Sequence, residues 1–199
     1  GVADSRKVKG DELFAAFRGE HLDGNDFVEE ALKAGAKAII CEHAPEGNWP
    51  GQTIITVQDT RHALLELAQS WRKACGPFVI GITGTVGKTT TKELSAEVLQ
   101  KRFKTHHSPG NFNSKEGLPL ALLSLTSDME VSVLEMGMDS PGEIATLCQI
   151  AEPQCGVVLN IGATHLEKLG SMEESTKEKL SLARSLDIAA TAILNIDDP

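Results

Sequence analysis

The sequence contains no tyrosine, has few other aromatic residues, and lacks any long apolar run. Only two of its 199 residues are Trp and six are Phe. No apolar run approaches the roughly 18 residues that a helix needs to cross a bilayer, so we expect no membrane span. The N-terminus has no basic segment followed by an apolar one, which argues against a signal peptide. The chain begins with Gly-Val rather than Met, which is compatible with a segment upstream.

Positive charge is also scarce in this sequence. Lys and Arg number 19 against 28 Asp and Glu, which gives a formal net charge of -9. Proteins that bind nucleic acid broadly neutralise many phosphates with basic side chains, so this balance argues against such a function. An anionic ligand would therefore have to be bound locally, by a small number of groups.

The cysteines show none of the spacing of a metal site or a redox motif. Cys41, Cys75, Cys148 and Cys155 lie in or beside apolar stretches, and no CxxC pair occurs. This pattern predicts reduced thiols. It favours a cytoplasm-like compartment. Whether the protein is bacterial, and so cytoplasmic, or comes from a plastid stroma stays open at this point.

A glycine-punctuated turn at residues 81–93, GITGTVGKTTTKE, follows an apolar strand-like run and precedes a helix-like stretch. Glycines let the backbone N–H groups curl around an anion, and the helix N-terminus adds partial positive charge. The strict Walker pattern requires a glycine where Ile82 stands, although the GKT chemistry is kept. We predict that ATP phosphates are bound by a set of loop residues: Gly84, Thr85, Val86, Gly87, Lys88, Thr89 and Thr90.

Alternating apolar and helix-like segments predict an α/β fold with two domains. Residues 1–76 are predicted to form a small N-terminal α/β domain, and residues 77–199 a P-loop domain with a doubly wound, mainly parallel sheet. Cys75-Gly76-Pro77 interrupts the helical pattern and marks the boundary between them. Ligands of such sheets bind beyond the C-terminal ends of the strands, so the chemistry is expected there.

The individual elements follow from hydrophobic periodicity. Strands are predicted at residues 38–41, 53–57, 78–83, 131–134, 156–160 and 192–196. Helices are predicted at residues 26–35, between the strand at 53–57 and the break at Cys75-Gly76-Pro77, and near 89–101, 142–150 and 173–186. Within the helix before this break, one apolar stripe is predicted to face the core: Leu64, Leu67, Ala68 and Trp71.

Several motifs together resemble the Mur ligase family over nearly the whole chain. In the second half these are GTVGKTT at 84–90, GNFNSKEGLP at 110–119, LEMG at 134–137 and NIGATHLEKLGS at 160–171. In the first half they are DSRKV at 4–8, GDELFAAF at 10–17 and DGNDF at 23–27. The segment GNFN followed by GLP resembles the members that add D-Ala-D-Ala, whereas members that add the third residue look different there.

The resemblance implies an ATP- and Mg²⁺-dependent amide ligase of peptidoglycan precursor synthesis, acting as a cytoplasmic monomer. A carboxylate of UDP-MurNAc-tripeptide would attack the γ-phosphate of ATP, and the amine of D-Ala-D-Ala would displace the resulting acyl phosphate. A complete member carries a third, C-terminal domain with adenine-contacting residues. The resemblance covers only the first two domains, so we expect the isolated chain to be inactive as a ligase.

The resemblance also implies catalytic and metal-binding residues. Lys88 would stabilise the transferring phosphoryl group, Thr89 and Glu135 would hold one Mg²⁺, and His165 would stand at a second metal. Lys179 corresponds to a lysine that is often carbamylated in the family, although Glu-Lys-Leu-Ser replaces the usual Ala-Lys-x-Glu and Lys177 is a neighbouring alternative. A hydrogen-bonded surface histidine and a solvated helix lysine are the simpler interpretations of residues 165 and 179.

For the nucleotide-sugar peptide, the resemblance implies binding by Ser5 and Arg6 in the first domain and by Asn111 and Asn113 in the second. The segment at residues 4–6 could equally be a turn with a surface salt bridge. Asn25 replaces the histidine that is common in this family motif, which affects the contacts expected on the uridine side.

Three other functions compete with this interpretation. The chain could belong to a Mur ligase that adds the third residue, or it could be a nonenzymatic nucleotide-binding module. It could also be a GTPase, because residues 139–142, DSPG, imitate the DxxG motif, although no NKxD element follows.

Overall fold

The computed structural model describes residues 1–19, 22–162 and 171–198 of the chain. The chain divides into two compact units, Gly1–Leu67 and Ala68–Pro199. Each unit has its own parallel β-sheet. The domain boundary expected near residue 76 stays a prediction.

The first unit contains a three-stranded parallel sheet in the order β1-β2-β3. Its elements are β1 (Leu13–Ala15), α1 (Val28–Lys33), β2 (Ala38–Cys41), β3 (Thr53–Thr56) and the first half of α2 (Thr60–Cys75). Phe14 and Ile39 from the strands and Val28 and Leu32 from α1 form the core, all nearly inaccessible to solvent. Burial of these apolar side chains is the main force that holds α1 on the sheet.

The second unit is built on a five-stranded parallel sheet in the order β5-β6-β4-β7-β8. Its strands are β4 (Phe78–Thr83), β5 (Thr105–His107), β6 (Val131–Glu135), β7 (Cys155–Val158) and β8 (Thr191–Leu194). Its helices are α3 (Lys88–Leu99), α4 (Gly117–Leu122), α5 (Glu143–Ala151) and α6 (Met172–Arg184).

The order of the strands determines where the candidate site lies. β4 is central, with β6 on one side and β7 on the other, and β6 is buried along its whole length. In register, Ile82 pairs with Glu135 of β6 and Thr83 pairs with Val158 of β7. The loop after β4, the carboxylate of Glu135 and the residues after β7 therefore meet at one edge of the sheet.

The fold class is confirmed, and three short elements, β1, β5 and α4, were not among the predicted strands and helices. β1 and β5 have three residues each, and α4 contains a proline, so none of the three gives a clear periodic signal. The predicted core stripe of α2 is half wrong. Leu64 and Ala68 are buried, but Leu67 and Trp71 are 38% and 42% exposed, and the Trp71 indole N–H donates to the carbonyl of Leu125 at 3.0 Å.

All four cysteines lie among the described residues and are free. Burial raises the pKa of the Cys148 thiol to about 12, so this group behaves as a small apolar side chain. No helix within the described ranges has both the length and the apolar character needed to cross a membrane.

Candidate functional site

The phosphate loop joins β4 to α3 and uses backbone conformations that favour glycine. Gly84 has φ of 153° and Gly87 has φ of 85°, and a side chain at Gly84 would approach Cβ of Leu159 to 3.0 Å. Gly87 is the N-cap of α3 and offers no capping side chain. The first N–H groups of α3 are thus suited to an anion, as the sequence predicts.

Asn160, which follows β7, fixes the shape of this loop. Its Oδ1 accepts hydrogen bonds from the backbone N–H groups of Thr85 at 3.1 Å and Val86 at 2.9 Å. Its Nδ2 donates to the carbonyl of Val86 at 3.0 Å. In the sequence, Asn160 ends a predicted strand and opens the motif at 160–171, but it was not among the predicted site residues. A polar side chain at that position is the signal that could have identified it as a site residue.

Lys88, the first residue of α3, bends back over the loop. Its Nζ donates to the carbonyl oxygens of Gly84 at 2.8 Å and Thr85 at 3.2 Å. The ammonium group is therefore held on the inner side of the turn that the glycines form. A phosphate bound by the loop N–H groups would lie within its reach.

Glu135, at the end of β6, brings three predicted residues together. Its Oε2 accepts from the Thr89 hydroxyl at 2.7 Å and its Oε1 accepts from Asn113 Nδ2 at 2.8 Å. The glutamate is only 3% exposed. A buried carboxylate beside a hydroxyl offers the hard oxygen ligands that Mg²⁺ prefers, so this donor set fits the metal that the resemblance implies.

Asn111 and Asn113 lie in the same segment, but their side chains have different surroundings. Asn113 is held on both sides, since its carbonyl accepts from the N–H of Gly137 at 2.8 Å while its side chain contacts Glu135. Asn111 is exposed, and its carbonyl accepts from the N–H of Asn113 at 2.8 Å. Asn113 therefore joins Thr89 at the Glu135 carboxylate, whereas Asn111 faces solvent.

Lys179 on α6 is 2% exposed, and its Nζ donates to the Ser175 hydroxyl at 2.7 Å. Burial and then the positive charge of Lys88 lower the pKa of its amine, while Glu178 opposes that shift. The positive charge of Lys88 therefore acts on the buried amine of Lys179. The solvated-lysine interpretation of residue 179 is wrong.

The alternative lysine has the opposite environment. Lys177 is half exposed, and the hydrogen bonds that its Nζ donates to Glu174 and Glu173 raise the pKa of its amine. His165 lies outside the described residues, so its metal-binding role stays a prediction.

The first unit contains an open pocket of about 470 Å³. Three of the six phenylalanines of the chain line it, together with small and polar residues. Its lining is Ala3, Asp4, Ser5, Arg6, Phe14, Phe17, Gly19, Leu22, Gly24, Phe27 and Glu30. Both first-domain residues predicted to bind substrate, Ser5 and Arg6, lie on its wall.

These two residues are also engaged with neighbouring carboxylates. The Arg6 guanidinium makes two hydrogen bonds to Asp4, each 2.9 Å long, and lowers the pKa of that carboxyl. The Ser5 hydroxyl donates to Glu30 at 3.0 Å. The turn and the surface salt bridge are therefore present, on the wall of a pocket. The Arg6 side chain is 83% exposed and so remains accessible to an anion.

Asn25, the departure from the family pattern, helps to build the turn beside this pocket. Its Nδ2 and its backbone N–H both donate to Asp23, and these bonds lower the pKa of Asp23 to about 2. Its Oδ1 accepts from the N–H of Glu42 at 2.8 Å. With both ends of its amide engaged, Asn25 has a structural role here.

Comparison with protein families gives two matches that together span nearly all of the chain. Residues 82–199 match the Mur ligase middle domain. Residues 2–72 match the domain described as Mur ligase family, catalytic domain. The first match alone covers more than half of the sequence.

Individual relatives agree with these matches. The UDP-N-acetylmuramoyl-tripeptide–D-alanyl-D-alanine ligase of Bacillus subtilis is 40% identical over 100% of this chain, which spans 44% of that relative. A crystal structure of MurF from Acinetobacter baumannii has a TM-score of 0.88 and is 31% identical, over 99% of this chain and 43% of that chain. The crystal structure of MurF ligase from Thermotoga maritima in complex with ADP has a TM-score of 0.86 and is 37% identical, over 100% of this chain and 46% of that chain. The chain thus spans less than half the length of these relatives.

Proposed function

Because this chain belongs to the Mur ligase family, we propose that it supplies the nucleotide-binding and substrate-binding parts of an ATP-dependent ligase. The reaction proposed is addition of D-Ala-D-Ala to UDP-MurNAc-tripeptide in the cytoplasmic synthesis of peptidoglycan precursors. One observation carries the proposal: Asn113 of the GNFN segment and Thr89 of the phosphate loop both donate to the buried carboxylate of Glu135. The element that resembles the dipeptide-adding members is thereby joined to the nucleotide site.

The chain's own residues would act mainly by positioning and by charge. The loop N–H groups and Lys88 would bind the phosphates, and Lys88 would stabilise negative charge on the transferring phosphoryl group. Mg²⁺ held by Thr89 and Glu135 would neutralise charge on the phosphate oxygens. The substrate carboxylate would then approach a phosphorus atom held in line with it.

His165 and Lys179 would complete a second metal site in this proposal. A lysine becomes a carboxylate-like ligand when its neutral amine attacks CO₂, forming an N–C bond and releasing one proton to water. The burial of Lys179 and the nearby charge of Lys88 favour the neutral amine that this step requires. Lys177, whose amine is stabilised in the charged form, is unsuited to it.

The pocket of the first unit is the proposed site for the uridine diphosphate end of the substrate. The rings of Phe17 and Phe27 would pack against the base, and the exposed guanidinium of Arg6 would bind a phosphate. Asn111, exposed near Asn113, is a proposed donor to the peptide end.

Family membership leaves the GTPase interpretation without support and keeps two alternatives to be tested. A ligase that adds the third residue would act on UDP-MurNAc-dipeptide, and a nonenzymatic module would bind nucleotide without turnover. The dipeptide-adding relatives favour the first proposal over both.

Calorimetry on the 199-residue chain tests the binding part of the proposal. We expect it to bind ADP in the presence of Mg²⁺, and to bind UDP-MurNAc-tripeptide more tightly than UDP-MurNAc-dipeptide. Arg6→Ala should weaken binding of the sugar nucleotide and leave that of ADP unchanged, with exposed Lys7→Ala as the matched control. Preference for the dipeptide nucleotide would assign the chain to a different ligase.

A further inference from the structure

Lys92, on α3, is completely buried, which is unusual for a lysine. It is 0% exposed and is one of the largest fully buried side chains of the molecule. Removing an ammonium group from water is strongly unfavourable unless every donor finds a partner, and an apolar residue of similar size would often serve stability equally well. The retention of a charge here needs an explanation, and the proposed phosphate and metal roles do not use it.

All three donors of the Lys92 ammonium group have partners. Nζ donates to the carbonyl of Ser108 at 2.7 Å and to that of Gly110 at 3.0 Å, and it pairs with Glu93 Oε1 at 2.9 Å. Two of these partners belong to the segment that leads into Asn111 and Asn113. Lys92 therefore ties the helix of the phosphate loop to the segment that bears the amides.

This contact closes a ring of interactions around Glu135. Thr89 and Lys92 are three residues apart, so they lie on the same face of α3, one turn apart. Thr89 contacts the Glu135 carboxylate, and the Ser108 hydroxyl accepts from the N–H of Glu135 at 3.2 Å. Asn113, five residues after Ser108, donates to the other carboxylate oxygen. The carboxylate is thus held by α3 and by the 108–113 segment, and Lys92 joins these two parts of the chain.

We propose that Lys92 is a positioning residue, which holds the 108–113 segment against α3 so that Glu135 presents its carboxylate oxygens to a divalent cation beside Thr89. The inference rests on the proposed role of Glu135 in Mg²⁺ binding. It assigns a function to a residue that touches neither nucleotide nor metal. Its effect should therefore be seen in the contribution that Mg²⁺ makes to nucleotide binding.

The test is calorimetric binding of ADP to the chain in Mg²⁺ and in EDTA. We expect Mg²⁺ to strengthen ADP binding of the unmodified chain by about tenfold or more, within the usual range of coupling between two ligands. Lys92→Met should reduce that enhancement to below about twofold, while affinity in EDTA changes by less than about threefold. Exposed Lys101→Met, just beyond α3, is the matched control and should keep the full enhancement.

A folded Lys92→Met chain with the full Mg²⁺ enhancement would overturn the proposal. So would equal losses of affinity in Mg²⁺ and in EDTA, since these indicate a general scaffold role. Should this variant fail to fold, Lys92→Gln, which keeps one donor group, replaces it under the same criteria. If the unmodified chain shows no enhancement by Mg²⁺, the proposed role of Glu135 fails, and this inference fails with it.

Discussion

At the scale of single residues, the charged side chains of the candidate site have distinct tasks. Lys88 points into the phosphate loop, Glu135 holds Thr89 and Asn113, and Lys92 is buried behind them. Only the first of these cations is placed to touch a ligand. The two lysines of α3 should therefore respond differently to substitution.

Lys88→Ala should remove most of the affinity for ADP and ATP. Truncation of one partner in a desolvated charge contact costs about 2–5 kcal/mol, which corresponds to a loss of at least about 30-fold in affinity. Calorimetry measures this loss of affinity. Lys101→Ala, which removes the same charge, is the control. Equal affinity of the unmodified chain and Lys88→Ala would refute the phosphate-loop assignment.

Glu135→Gln should leave nucleotide binding in EDTA nearly unchanged and remove the strengthening by Mg²⁺. Glutamine keeps the size of the side chain and one acceptor oxygen, but it lacks the charge that a divalent cation requires. Titration of ADP into both chains, with and without Mg²⁺, gives the comparison. The same loss in both conditions would instead indicate a role in folding.

The sequence predicts much of this site because most of the residues are close together in the chain or stand at the end of a strand. The glycines, Lys88 and Thr89 are adjacent in the chain, and Glu135 stands at a strand end. Lys92 and Asn160 were missed because they contact distant parts of the chain. The carbonyl partners of Lys92 lie 16 and 18 residues away, and the loop N–H groups that Asn160 binds lie 75 and 74 residues away. Such contacts depend on the order of strands in the sheet, which hydrophobic periodicity does not specify.

At the scale of elements, β5 is attached to its neighbours through a buried histidine. His106 Nδ1 lies 2.9 Å from the Ser132 hydroxyl of β6, and its Nε2 lies 3.0 Å from that of Ser124, after α4. Ser124 donates its own proton to the carbonyl of Ala121, so it accepts from Nε2. Burial, and then the charge of His107, lower the pKa of His106 to about 4.

This shift predicts a dependence of stability on pH. The folded pKa lies below the ordinary value of 6.5, so the unfolded chain takes up more protons between those values. The contribution of His106 to the free energy of unfolding is complete above pH 6.5 and declines as the pH falls toward 4. At about 1.4 kcal/mol per pH unit, this decline amounts to as much as about 3 kcal/mol.

Urea unfolding of the unmodified chain and of His106→Gln, between pH 7 and pH 4, measures this contribution. The difference in unfolding free energy between the two chains should shrink as the pH falls. His43→Gln, at an exposed histidine, is the control. A difference that stays constant across this range would refute the assignment.

Helix α5 has a buried charge at each end. At its N-terminus the Glu178 carboxylate accepts from the N–H groups of Gly142 and Ile144, both at 2.8 Å. At its C-terminus the Arg72 guanidinium donates to the carbonyls of Ala151 at 2.7 Å and Glu152 at 3.0 Å. Both charges satisfy terminal backbone groups and complement the helix dipole.

Glu178→Ala should lower the free energy of unfolding by about 1–3 kcal/mol, because it leaves the buried N–H of Ile144 and the N–H of Gly142 without this acceptor. Exposed Glu173→Ala, with the same charge change on the same helix, should change it by less than about 0.5 kcal/mol. Chemical denaturation of both variants provides the measurement. Equal effects would mean that Glu178 does not cap α5.

The long helices and most strands were predicted well, whereas β1, β5 and α4 were not. The predicted helices near 89–101 and 173–186 correspond to α3 and α6, and the predicted strand at 38–41 coincides with β2. β5 was missed because its three residues carry no alternation, and it packs against β6 and α3. The outward turn of Trp71 also reflects tertiary contacts, since its indole finds a carbonyl partner after α4.

At the scale of the whole molecule, the two units carry complementary parts of the proposed reaction. The first contains the pocket with Ser5 and Arg6, and the second contains the phosphate loop and Glu135. The chain spans 44% of the Bacillus subtilis relative, so a ligase assay requires the remaining part of such a protein. A chimaera that joins this chain to the C-terminal part of that relative provides the missing part for the assay.

The most direct test of the central claim is mass spectrometry of the product that this chimaera forms with ATP and Mg²⁺. Given UDP-MurNAc-tripeptide and D-Ala-D-Ala, it should release ADP and yield a product that gains both alanines in one step. The same chimaera with Lys88→Ala should form none. Efficient addition of a single amino acid to UDP-MurNAc-dipeptide, with no product from D-Ala-D-Ala, would contradict the account.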